Sequence, residues 1–194
     1  MARLHKDVYQ HDGSLTDAWL EYTCGHCGTR VSGAVVAVNN SAKWLLCPAC
    51  LAGSVYTRGA IFPGVVFGPS LSGLPKDVEQ AYGEARACMS INAFTAAELI
   101  CRKILMHVAV DKGAKEGEPF NAYLGALESQ GYITPPMKKW VDLIRKHGND
   151  STHKLESPDK ARAESTVMFT AELLRIIYEM DHMASTYVPD PKKT

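Results

Sequence analysis

Apolar and polar positions follow two different rhythms along this chain. Between Ala18 and Pro63, short runs rich in β-branched and aromatic residues alternate with turn residues; the runs are Trp19–Thr23, Ala34–Asn39, Lys43–Leu46 and Ser54–Thr57. Runs of four to six such residues bounded by Gly, Pro, Asn or Ser predict strands. From Gly59 to Pro75 the punctuation becomes dense, as in Phe62-Pro-Gly-Val-Val-Phe-Gly-Pro69, a composition that neither a helix nor a central strand tolerates. This stretch is expected to be an extended connector.

Beyond Pro75 the period changes to that of a helix. Val78, Tyr82, Ala85 and Met89 recur at helical spacing behind a proline suited to a first turn. A second helix is predicted from Ala93 to Lys112, with Ala97, Ile100, Ile104, Leu105 and Val108 on one face and Gly113 closing it. Phe120–Ser129, ended by Gly131, is the third. A fourth starts near Pro136 with Met137, Trp140, Val141 and Ile144 at i, i+3, i+4 and i+7, and Gly148 is expected to break or kink it. The last begins after Ser157-Pro158-Asp159 and reaches about Met183, its stripe of Phe169, Leu173, Ile176 and Met180 widened by Val167, Leu174 and Ile177. So broad an apolar face must be covered, either within the bundle or by a second copy. The expected fold class is therefore α+β: a β zinc-ribbon module over residues 1–62, a connector over 63–75, and an all-helical bundle of about five helices over 76–194.

Composition narrows the function classes. Hydrophobic residues at 46% and charged residues at 22% are enough to build a core. Basic and acidic residues both number 21, so no global positive field draws the chain to nucleic acid or anionic lipid, and any such binding must be local. The most apolar long stretch, Ile91–Val110, carries Glu98, Arg102 and Lys103 and reads as a buried helix rather than a membrane span. Met1–Tyr22 holds no unbroken apolar run of signal-peptide length, which predicts a cytoplasmic protein.

The six cysteines carry the clearest chemistry. Four fall in two Cys-x-x-Cys pairs, Cys24/Cys27 and Cys47/Cys50, each directly after a predicted strand and separated by nineteen residues. A tight turn aims both thiolates of a pair at one centre, and this spacing lets a hairpin bring the pairs together, which predicts one structural zinc ion per chain. Gly28 suits the left-handed backbone such a turn needs. His26 is expected to point outward, because four sulfurs already close a tetrahedral shell. Redox chemistry would require a βαβ setting that is not visible here. Cys88 and Cys101 read as core residues, and Glu98 with Arg102 as a pair within one helix.

One local charge imbalance stands out. Residues 136–154 hold Lys138, Lys139, Arg145, Lys146 and Lys154 against Asp142 and Asp150, a surplus of three. The patch surrounds Ile144-Arg-Lys-His-Gly-Asn-Asp-Ser-Thr-His153. With Leu74-Pro-Lys-Asp-Val78, Tyr82-Gly-Glu-Ala85, the Ala96-Ala-Glu-Leu-Ile-Cys-Arg102 segment and Leu174–Tyr178, this element resembles the bacterial domain-of-unknown-function family 4145, a relative of the HEPN superfamily. The resemblance implies a HEPN-like helical bundle that often dimerises, commonly carries an N-terminal zinc-binding stretch, and is frequent among relatives in phage–host conflict. In nuclease members of the wider superfamily an Arg and a His cleave RNA without metal; the matching positions are Arg145 and His153, with Asn149 as a polar orienter. Seven residues separate Arg145 from His153, more than in those nucleases. The preferred expectation is a zinc-binding interaction module, a homodimer that binds a protein or nucleic-acid partner, with Lys138, Lys139, Arg145 and Lys146 as the expected contacts to nucleic acid such as RNA. The alternative is a metal-independent ribonuclease or nucleotide-binding enzyme using Arg145 and His153. The basic patch favours the alternative; the neutral overall charge and the lengthened motif oppose it.

Overall fold

The computed structural model describes residues 8–10, 15–16, 19–39, 41–150 and 157–188. The chain forms two compact units, Met1–Phe67 and Gly68–Thr194. The first is a β module and the second is helical.

In the first unit β4 (Arg30–Val38) is the spine. On one side β5 (Ala42–Leu46), β6 (Gly53–Thr57) and β7 (Ala60–Phe62) follow as an antiparallel meander. On the other side β3 (Trp19–Thr23) lies antiparallel to the first half of β4, while β1 (Val8–Gln10) lies parallel to its end and pairs in turn with β2 (Leu15–Thr16). The register puts Val35 opposite Leu45 and Leu45 opposite Ser54, so alternation aims all three inward. There they meet Tyr22, Cys24 and Cys47, with Leu20, Val31, Val38, Tyr56 and Ile61 packed around them.

Strand β7 corrects the expectation that an extended connector starts at Gly59. Arg58 and Gly59 have φ values of 50° and 82°, two successive left-handed residues that close a two-residue hairpin turn between Thr57 and Ala60. A glycine that reads as linker punctuation is thus a turn residue, and Phe62 ends a strand.

The second unit begins with Gly68 and Pro69, whose carbonyls accept hydrogen bonds from Arg86 Nη2 (2.9 Å) and Tyr82 Oη (3.0 Å). Helices α1 (Lys76–Ser90), α2 (Phe94–Asp111) and α3 (Phe120–Ser129) follow at the predicted places. A 3-10 turn over Pro135–Met137 leads into α4 (Lys138–Asp150). Helix α4 runs through Gly148, so the expected break there is not found. One glycine inside a helix costs only about 1 kcal/mol, too little to stop an otherwise strongly amphipathic segment. Asp159 caps α5 (Lys160–Leu174) by accepting the Arg162 amide at 2.8 Å.

Helix α2 is central, with Ala97, Cys101, Ile104, Leu105 and Val108 buried against Val167, Phe169, Leu173 and Leu174 of α5 and the inner faces of α1 and α3. Trp140 of α4 meets Phe169 edge-on at 5.6 Å and donates to Ser165 Oγ at 2.8 Å. Glu98 accepts two parallel charge-assisted bonds from Arg162 of α5 at 2.8 and 2.9 Å, and Arg102, one turn on from Glu98 in α2, stacks over Phe120 at 4.4 Å.

The last helix departs most from its periodicity. After Leu174 a π turn, Arg175–Glu179, joins α5 to α6 (Met180–Tyr187). A π turn holds one residue more than an α turn, so everything beyond it is rotated by roughly 100° relative to a continuous α-helix. Phe169 and Leu173 are buried, but Met180, the fourth member of the expected stripe, is 55% exposed. Within the described residues the stripe is therefore cut at the π turn. No described helix is long and apolar enough to cross a membrane.

Candidate metal centre

The two Cys-x-x-Cys turns are built alike. Each follows the end of a strand, β3 before Cys24 and β5 before Cys47. In the first, the Gly28 amide bonds to the Cys24 carbonyl (2.8 Å) and the Cys24 amide to the Thr29 carbonyl (3.0 Å). In the second, the Leu51 amide bonds to the Cys47 carbonyl (2.9 Å) and the Cys47 amide to the Ala52 carbonyl (3.0 Å). The residue after each second cysteine is left-handed: Gly28 at φ 71° and Leu51 at φ 61°. Gly28 takes that conformation freely; Leu51 does so against the steric preference of a branched side chain.

This duplicated turn places all four sulfurs within 4.8 Å of one another, a group that can hold a metal ion. Cys24 Sγ lies 3.8 Å from Cys50 Sγ, and Cys27 Sγ lies 3.9 Å from Cys47 Sγ. Cys24 and Cys47 are sealed in the core, whereas Cys27 and Cys50 sit at the surface. His26 points away from the sulfurs, as expected, and donates from Nε2 to the Gly53 carbonyl at 3.0 Å, tying the first turn to the strand that follows the second. Gly25 lies so close to the carbonyls of Pro63 and Gly64 that a Cβ there would overlap them.

Electrostatics mark the cluster as a place for a cation. The Thr29 hydroxyl, with the Thr29 amide, draws the Cys27 thiol down to about 6. The Ala52 amide also pulls on Cys50, yet desolvation and the three neighbouring sulfurs hold its thiol up at about 12. Four sulfurs this close cannot all ionise against one another unless a positive charge sits among them. Tyr22 and Ser54 belong to the same pocket of the fold. Their hydroxyls are buried with no hydrogen-bond partner among the described residues, and burial raises the Tyr22 phenol, the sulfurs of Cys24, Cys47 and Cys50 adding to it and the Ser54 hydroxyl opposing it. Neither residue stands out in the sequence; strand alternation back from Cys24 and on from Cys50 is the only signal that turns them inward.

The Arg145 element is arranged differently. Arg145 donates from Nη2 to Glu128 Oε2 at 2.9 Å and from Nη1 to Asp142 Oδ1 at 3.1 Å, and Lys138 reaches the other Glu128 oxygen at 3.2 Å. The Arg145 guanidinium, followed by the Lys138 ammonium, holds the Glu128 carboxyl below its usual range. Two of the four expected phosphate-binding cations are thus shared with one carboxylate of α3, while Lys139 and Lys146 are exposed. Asn149 falls in the last turn of α4 with its side chain outside the described residues, and His153 lies outside them altogether. Cys101 is fully buried, and that burial first of all pushes its thiol up to about 12.

Residues 83–189, more than half of the 194, match the family described as Domain of unknown function (DUF4145). The chain belongs to this family. No curated protein and no solved structure matches it. The DUF4145 match lies within the helical unit, so the cysteine centre stands outside the matched residues.

Proposed function

We propose that the cysteine centre holds one structural zinc ion, and that the DUF4145 chain is a zinc-stabilised interaction module whose helical unit associates with a second copy. The sulfur geometry carries the metal part of this reading. A tetrahedral shell with Zn–S bonds of about 2.3 Å has sulfur–sulfur edges of about 3.8 Å; two edges here, Cys24–Cys50 and Cys27–Cys47, are 3.8 and 3.9 Å, and all lie within 4.8 Å. A shell of four protein sulfurs leaves no position for a bound water, so the ion would cross-link the two turns and supply no Lewis-acid chemistry.

The engagement of Arg145 by Glu128 and Asp142 supports a structural role for that residue over a phosphate-gripping one. To act on RNA it would have to leave two charge-assisted bonds. A four-sulfur tetrahedron also suits iron, and the two metals separate by colour and composition. Elemental analysis of freshly purified, reduced protein should find about one zinc per chain and no iron, with colourless solutions. A metal content near zero, or iron in its place, would remove the reading.

A further inference from the structure

Helix α2 is apolar on two sides, and the described bundle covers only one of them. At about 100° per residue, Leu99, Met106 and Val110 fall opposite the buried stripe of Ala97, Cys101, Ile104 and Val108. Leu99 is 59% exposed, and Met106 and Val110 are half-buried. Lys103 interrupts this outer stripe, with Arg102 on one flank and His107 on the other. These six residues line a cleft of about 460 Å³. The fold places two of its cations: Arg102 lies over the Phe120 ring of α3 at 4.4 Å, and His107 Nε2 lies 3.1 Å from Asp77 of α1. Burial lowers the Arg102 guanidinium from its ordinary value, with the charge of Glu98 opposing. A cation held partly away from water gains more from an anion than one in bulk solvent does.

We propose that this cleft binds a small amphipathic carboxylate, its acid head at Arg102, Lys103 and His107 and its aliphatic body along Leu99, Met106 and Val110. Charge selects the head. Arg102 and Lys103 against Glu116, the one carboxylate in the lining, leave a surplus of one, which matches a monoanion better than a phosphate dianion. Shape selects the body, because the apolar stripe runs straight along three turns of helix, about 16 Å. The volume falls in the range of small-molecule sites, about 300–1,000 Å³. Rings are not on offer for a flat base to stack upon: Arg102 covers Phe120, and Tyr123 is buried with its hydroxyl accepting the Glu118 amide at 3.2 Å. The site lies wholly within the helical unit and needs neither the metal nor a second copy.

Methionine-methyl NMR on the full chain, titrated with decanoate at neutral pH, reads the cleft directly, with Met106→Leu assigning the signal. The Met106 signal should shift saturably, with dissociation at about 1 mM or tighter. Affinity should rise by up to about tenfold for every two methylenes from hexanoate to decanoate. Acetate, which lacks the chain, and decyltrimethylammonium, which reverses the charge of the head, should leave the signal in place. Lys103→Glu should weaken decanoate binding by about tenfold or more while helical circular dichroism stays unchanged, because Lys103 is exposed. A Met106 signal that ignores decanoate, that follows the cationic chain as readily, or that keeps its affinity in Lys103→Glu would overturn the site. So would a response confined to the exposed Met180 and Met183.

Discussion

The two units of this chain solve the same problem, burying enough to stay folded, by different means. In the helical unit the largest fully buried side chains are hydrocarbon: Leu105, Leu124, Leu127, Val167, Phe169, Leu173 and Leu174, carried by α2, α3 and α5. In the β module the buried cluster is Tyr22, Cys24, Val35, Leu45 and Cys47, so two of its five members belong to the four-cysteine cluster. A core that small buries too little apolar surface to offset the conformational entropy of its chain, and such modules usually depend on a cross-link or an ion. Stability in one unit is spread over many contacts, and in the other, on the proposed reading, an ion at the cysteine cluster would concentrate it at one point.

The strongest way to break that contrast is at the concentrated point. Cys24→Ser should abolish metal binding and unfold the β module while leaving helical circular dichroism almost intact, and limited proteolysis should cut first within residues 19–67. Simultaneous loss of helix would show that the units are not independent. Phe169→Ala is the reciprocal test. Removing the ring that Trp140 meets edge-on should lower the stability of the helical unit by about 3–5 kcal/mol, read as a fall in its melting temperature, with metal content unchanged. The smallest effect sharpens the comparison between the two cysteine turns. Leu51→Gly should stabilise the β module by up to about 1 kcal/mol, because glycine takes φ 61° without strain, whereas Gly28→Leu should destabilise it by a similar amount. Chelator titrations followed by tryptophan fluorescence would resolve both.

How much of this was legible in the sequence depends on the range of the interaction concerned. The cysteine turns are local and their geometry follows from spacing, so Cys24, Cys27, Cys47 and Cys50 are readable as one group. Helices α1 to α3 are equally plain, because a 3.6-residue period repeated over ten or more residues has few competing explanations. Strand β7 was hidden because Gly59 punctuates a hairpin and a linker alike. The two bonds that Arg162 of α5 makes to Glu98 depend on how α5 lies across α2, which no local pattern carries. The π turn is the deepest omission. It changes one residue's worth of winding without any residue type that announces it, and it leaves Met180, which an unbroken period would bury, exposed.

The paired cysteine turns also have a topological consequence. An ion bound by both would convert β4, β5 and the loop between them into a closed ring running from Cys24 to Cys50, fastened by coordination bonds instead of a covalent bridge. Because the four sulfurs converge only when both turns are formed, the ion would bind the folded module and not the unfolded chain, so its binding free energy would add to the free energy of folding. Such a clasp opens by ligand exchange rather than by reduction, and the folded fraction of the β module would then follow the free concentration of its ion.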